Sequence, residues 1–130
     1  MASKLHIDKV GRVCVTVADT DRAIDFYVDT LGFEKVVDIP MGPAMRWVEV
    51  ALPGTPTTVA LAPPPPGQEA GGGQTGIFLD TSDVDADHTA LKDAGVDVDA
   101  EISRYGDPVP PMFWLRDPDG NSLGVVQPNT

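Results

Sequence analysis

Two stretches of this chain follow one plan. VCVTVADTDRAIDFYVDTLGFEKV, from Val13, and IFLDTSDVDADHTALKDAGVDV, from Ile77, each open on an alternating or apolar strand. Each turns at Asp-x-Asp (Asp19-Thr20-Asp21 and Asp83-Val84-Asp85), continues as a helix, stops at a glycine (Gly32 and Gly95) and resumes as a strand. Asp19 to Gly32 spans 13 residues and Asp83 to Gly95 spans 12, so the two helices match to within one residue. A supersecondary unit used twice fixes the architecture before any other feature is weighed.

The local chemistry agrees with that plan. Asp19 or Thr20, and Asp83, suit the N-cap, where a side-chain oxygen takes free backbone N–H groups. Ile24, Tyr27, Val28 and Leu31 recur at i, i+3, i+4 and i+7 and form one face of an amphipathic helix; Leu91 and Ala94 give the second helix a weaker stripe. Gly32 and Gly95 fit the left-handed position just past a helix. Three strands are expected after each helix, near 34–39, 45–51 and 57–62, then near 97–102, 111–116 and 121–126. The connector GPAM and the turns LPGTP and DPDG separate them.

Each half therefore reads β-α-β-β-β, and the fold class is α+β. Module one covers about 10–62 and module two about 75–128, within a single domain over 1–130. PPPPGQEAGGGQ, residues 63–74, joins them; four prolines make it stiff and three glycines make it loose. It reads as an exposed connector or as a flap over a cleft.

Composition narrows the function. The 130 residues, 42% of them apolar, suffice for one core. Twenty acidic residues against nine basic ones give a net charge of −11. No basic footprint exists for nucleic acid or an anionic membrane. The acidic excess serves solubility or attracts a cationic small molecule. No apolar run approaches the roughly 18 residues that span a bilayer, and MASKLHIDK lacks the apolar core of a signal peptide. The single cysteine, Cys14, precludes an internal disulfide and fits a reducing, cytoplasmic setting.

VTVADTDRAIDFYVDTLGFEKV resembles the first-module signature of the vicinal oxygen chelate superfamily, which includes glyoxalase I, extradiol dioxygenases and bleomycin-resistance proteins. FWLRDPDGNSLGVVQP resembles the last hairpin of the second module in that group, and the likeness runs from about Val10 to Pro128. It implies two βαβββ modules whose sheets curve around a cleft, with helices outside, and a homodimer with two clefts. Such a scaffold carries several chemistries, so the family alone does not name one.

Strand periodicity assigns faces. Val13, Val15 and Val17 pack on the helix, leaving Arg12, Cys14 and Thr16 toward the cleft. Ile77 and Leu79 pack, leaving Gly76, Phe78 and Asp80. Leu123 and Val125 pack, leaving Ser122, Gly124 and Val126. Val59 and Leu61 pack, leaving Thr58, Ala60 and Ala62. In 45–51 the faces are ambiguous, and Trp47 and Glu49 are assigned inward.

The resemblance implies metal-ligand positions at Arg12, Ala60, Gly76 and Gly124. None of these residues can hold a divalent metal: guanidinium only donates, and alanine and glycine have no ligand atom. No metal and no cofactor is therefore expected. His6 and His88 read as structural or solvent-exposed. Cys14 reads as a small lining residue. Glu49 and Asp80 are candidate carboxylates for proton transfer or cation binding, though Asp80 equally suits a strand end or a pair with Arg12. Trp47, Phe78, Tyr105, Phe113 and Trp114 are the candidate aromatic lining, Tyr105 from the loop RYGDPVPPM, and flat rings with a few polar groups suit a planar organic ligand.

The function expected is metal-independent binding and sequestration of a planar or cationic organic compound, as in antibiotic resistance. Two alternatives stand beside it: a metal-dependent lyase or dioxygenase with ligands elsewhere, and a dimeric interaction module with no ligand.

Overall fold

A computed structural model describes residues 4–43 and 45–129; Met1, Ala2, Ser3, Ala44 and Thr130 lie outside the described residues, and with them parts of the N-terminal stretch and of the GPAM connector. Module one runs β1 (Arg12–Thr16), α1 (Thr20–Ile24), β2 (Glu34–Pro40), β3 (Arg46–Ala51) and β4 (Thr58–Ala62). Module two runs β5 (Gln74–Asp80), α2 (Val84–Asp93), β6 (Asp97–Val98), β7 (Met112–Arg116) and β8 (Ser122–Val126). The first sheet has strand order β1-β4-β3-β2 and the second β5-β8-β7-β6, the same order shifted by four strands. In each, the first and last strands of the module pair in parallel and the remaining pairs are antiparallel.

The helices start where their caps sit. Asp19 accepts the Arg22 N–H at 3.1 Å and Asp83 accepts the Ala86 N–H at 3.0 Å. Gly32 and Gly95 follow the helices at φ 85° and 81°, a region that a side chain disfavours. The first helix differs from the expected plain α-helix. After Ile24 it widens into a π-helical segment, Asp25–Thr30, in which Leu31 N–H reaches back five residues to the Phe26 carbonyl.

The expected strand at 97–102 shrinks to Asp97–Val98. The Asp99 carboxylate explains the early stop. It accepts the Trp114 N–H at 3.0 Å, a donor the sheet ladder would otherwise use, and also pairs with Arg116 at 3.0 Å.

One apolar core spans both modules. Val15, Val17, Tyr27, Val48, Val50 and Leu61 from module one meet Val84, Phe113, Leu115 and Leu123 from module two. The turn DPDGN clasps the halves at the rim of that core. The buried Tyr27 hydroxyl donates to Asp117 at 2.8 Å, and the Asn121 amide donates to the Thr16 carbonyl at 2.9 Å. Asp119 accepts from the Ala18 N–H and from Arg22. Burial first, and the Asp117 carboxylate second, push the Tyr27 phenol well above its ordinary 10.0, so it stays a donor.

The glycines of the connector lie against the same turn. Gly71 N–H donates to the Thr16 hydroxyl, Gly72 N–H to the Asp119 carbonyl, and Ser122 N–H to the Gly73 carbonyl. Gly71 has φ +70°, and a Cβ there would stand 2.0 Å from the Asp119 carbonyl oxygen, so a side chain is barred on both counts.

Candidate functional site

The face of each sheet away from the helices carries one row of three residues. In the first sheet Cys14, Ala60 and Glu49 are neighbours across β1, β4 and β3. In the second, Phe78, Gly124 and Trp114 are neighbours across β5, β8 and β7. Each row thus has a small residue on the central strand flanked by two larger ones, and both rows contain positions the sequence assigned to the cleft.

The first row is polar and locked. Glu49 is 7% exposed. One carboxylate oxygen accepts the Trp47 indole N–H at 2.7 Å and the Arg12 Nε–H at 3.2 Å; the other accepts the Thr58 hydroxyl at 2.6 Å. These donors, Thr58 and Trp47 foremost, with Arg12 adding its charge, hold the Glu49 carboxyl below its ordinary 4.5. Trp47 and Glu49 share a face because they are two residues apart on one strand, and the bond to Arg12 identifies it as the Arg12 face. Arg12 pairs with Glu49, not with Asp80.

The second row is aromatic. The Phe78 and Trp114 rings lie 5.2 Å apart, centroid to centroid, tilted by 58°. A Cβ added at Gly124 would stand 2.6 and 2.8 Å from two atoms of the Phe78 ring and 3.4 Å from the Met112 methyl. The absent side chain of Gly124 is thus what admits the Phe78 ring. The outer side of that ring remains open, with Phe78 52% exposed.

Several of the expected lining residues sit elsewhere or are covered. Phe113 is fully buried on the opposite face, edge-on to His88 of α2 at 4.9 Å. Adjacent strand residues alternate faces, so Phe113 and Trp114 cannot line one cleft together. Gly124 is buried beneath Phe78, and Ala60 is fully buried beside Glu49. Thr16 spends its hydroxyl oxygen on the Gly71 N–H. Tyr105 is 76% exposed to solvent.

Gly76 is exposed at a bulge of β5, at φ +75°. Asp80 closes β5 and borders a cavity of about 260 Å³ on the helix side, together with Leu91, Leu115 and Val125. Cys14 is exposed on the Arg12 face. His88 bonds the Asp99 carbonyl at 2.7 Å. Thr58 and Met112 complete the two rows; strand period marked Thr58 as cleft-facing, while nothing in the sequence singled out Met112.

A metal does not fit the positions implied for one. Arg12 only donates, Ala60 and Gly124 are covered, and Gly76 has no side chain. Among the described residues no group of three or more His, Cys, Asp or Glu side chains is placed to hold an ion. No described helix is long and apolar enough to cross a membrane.

Residues 9–125 match the family described as the Glyoxalase/Bleomycin resistance protein/Dioxygenase superfamily. A crystal structure of a member of that superfamily from Sphaerobacter thermophilus DSM 20745 is 39% identical, with a TM-score of 0.85, covering 95% of this chain and 99% of that one. TnmS3, an antibiotic binding protein from Streptomyces sp. CB03234, is 38% identical, with a TM-score of 0.82, covering 96% and 99%. The Bacillus subtilis (strain 168) protein YurT is 30% identical, covering 92% of this chain and 98% of its own length.

Proposed function

Given that the chain belongs to the Glyoxalase/Bleomycin resistance protein/Dioxygenase superfamily, we propose that it binds a planar organic molecule without a metal and works by sequestration. The observation that carries this reading is the Phe78 ring seated on Gly124. At a position where the family resemblance implies a metal-binding carboxylate, an open aromatic surface backed by Trp114 lies instead. A flat ligand stacks on such a surface, and closing it from water strengthens the contact. The likeness to an antibiotic binding protein over nearly the full chain supports the same reading. The functional unit in this proposal is a homodimer, the form the resemblance implies, residing in the cytoplasm.

Equilibrium dialysis and tryptophan fluorescence against a panel of polycyclic aromatic compounds test the proposal. Saturable binding that weakens about tenfold in Phe78→Ala is the expected result. No binding by any member of the panel, or about one equivalent of tightly held zinc, nickel, manganese or iron per chain, overturns it.

One observation favours a second reading. The same Phe78 ring fills space that a larger cavity would need, as a ligand-free interaction module would have it. That reading predicts dimers with no aromatic ligand bound and no change in fluorescence across the panel.

A further inference from the structure

The charge a ligand should carry can be read from the first sheet. A cationic ligand needs an available acceptor, and the carboxylate in the middle of this face is not one. Both Glu49 oxygens are engaged by three donors, and the side chain is almost fully covered. A cation brought to Glu49 meets a carboxylate that is almost fully covered and already holds three donors. Arg12 is in the opposite condition. Its Nε–H is spent on Glu49, its only hydrogen-bond partner among the described residues, and its side chain is 58% exposed. The two terminal nitrogens of the guanidinium are left with outward donors in a rigid plane, the geometry that meets a carboxylate or a phenolate side-on.

Glu49 also fixes what lies beside that fork. Arg12 Nε and the Trp47 indole nitrogen share a single carboxylate oxygen, at 3.2 and 2.7 Å. A guanidinium and an indole are thereby held next to each other by one buried atom. Because Glu49 offsets the charge of Arg12, attraction here comes from directed N–H donors rather than from a bare positive field.

We propose that the ligand is an aromatic compound bearing an anionic oxygen, and that the outer donors of Arg12 receive that oxygen beside Trp47. The inference rests on the binding function proposed above and narrows its ligand class. Glu49 is then a positioning residue, acting on the ligand only through Arg12 and Trp47.

Three probes on one ring system test it: 2-naphthoate, 2-naphthalenemethanol and 2-naphthylmethylammonium, titrated by calorimetry into the wild-type protein at pH 7.5. Naphthoate is expected to bind about tenfold tighter than either of the others, the size of one charge-assisted hydrogen-bond pair. Arg12→Gln is expected to remove that preference while leaving the affinity for the alcohol within about threefold. Glu49→Gln, which keeps the Arg12 charge but loosens its tether, is expected to fall between. Equal affinities, a preference for the ammonium, or a naphthoate preference intact in Arg12→Gln overturns the proposal while the binding function survives. If none of the three binds the wild type, this inference fails, and the binding function fails with it only if the polycyclic panel also shows no binding. The wild-type comparison needs no variant, so the test stands even where a substitution harms folding.

Discussion

Cys14, Ala60 and Glu49 cross the first sheet in the same places that Phe78, Gly124 and Trp114 cross the second. The backbone treats the two rows alike, and the side chains make opposite surfaces. In the first, a carboxylate gathers donors from three strands and becomes almost inaccessible. In the second, the loss of a single Cβ lets one ring slide over the central strand and lean on another. The outer strands diverge as well. β2 is seven residues long and mostly exposed, with Val36 and Ile39 each 51% exposed, whereas β6 is two residues long because Asp99 takes over the ladder donor. A repeated topology thus fixes where side chains stand and leaves open what they do there.

The contrast can be broken first at its polar end. Glu49→Ala strips Arg12, Trp47 and Thr58 of their common acceptor and is expected to cost about 2–3 kcal/mol, read from the urea midpoint at constant slope. A loss below about 0.5 kcal/mol would mean that solvent replaces the carboxylate freely and that the row is not locked. The aromatic end responds through crowding. Gly124→Ala is expected to cost about 1–2 kcal/mol because its methyl meets the Phe78 ring, and most of that cost should vanish in a Phe78→Ala background. Additive effects in that double-mutant cycle would show that the ring does not depend on the glycine.

The smallest effect distinguishes the rows by pH. Glu49 titrates below its ordinary 4.5 in the folded chain, so its stabilising contribution is complete above that value and declines as pH falls through the folded-state value. Acid unfolding of the wild type should therefore be steeper below pH 4.5 than that of Glu49→Gln, with the two curves parallel near neutrality. Trp114→Phe, which changes only the aromatic row, should leave the acid limb unchanged.

The repeat made the topology legible, because caps, apolar spacing and terminal glycines each recur in both halves. Period 2 assigned Arg12 and Phe78 to the faces away from the helices, where the structure has them, but was not applied to the strand that carries Trp114. Phe113 was misjudged because its aromatic character was weighed ahead of its parity with Trp114. Gly124 was read as a position facing the cleft, and only the three-dimensional neighbour shows the Phe78 ring lying over it; residues 46 positions apart leave no local signal of such a meeting. The short β6 escaped notice for a similar reason. An aspartate that substitutes for a backbone carbonyl still looks, in sequence, like one more polar residue in an alternating run.

The connector invites one practical distinction. Residues 65–69 lie exposed, and apart from Gly67, at φ +82°, their length and composition should be free to change, which makes them the place to insert a tag, open the chain for circular permutation or expect a protease to cut. Two residues later that freedom ends. At Gly71 the chain passes so close to the Asp119 carbonyl that even a methyl group has nowhere to go. A library randomised across all twelve positions should therefore return with Gly71 unchanged, and with glycine favoured at 67 and 72, where positive φ alone disfavours a side chain.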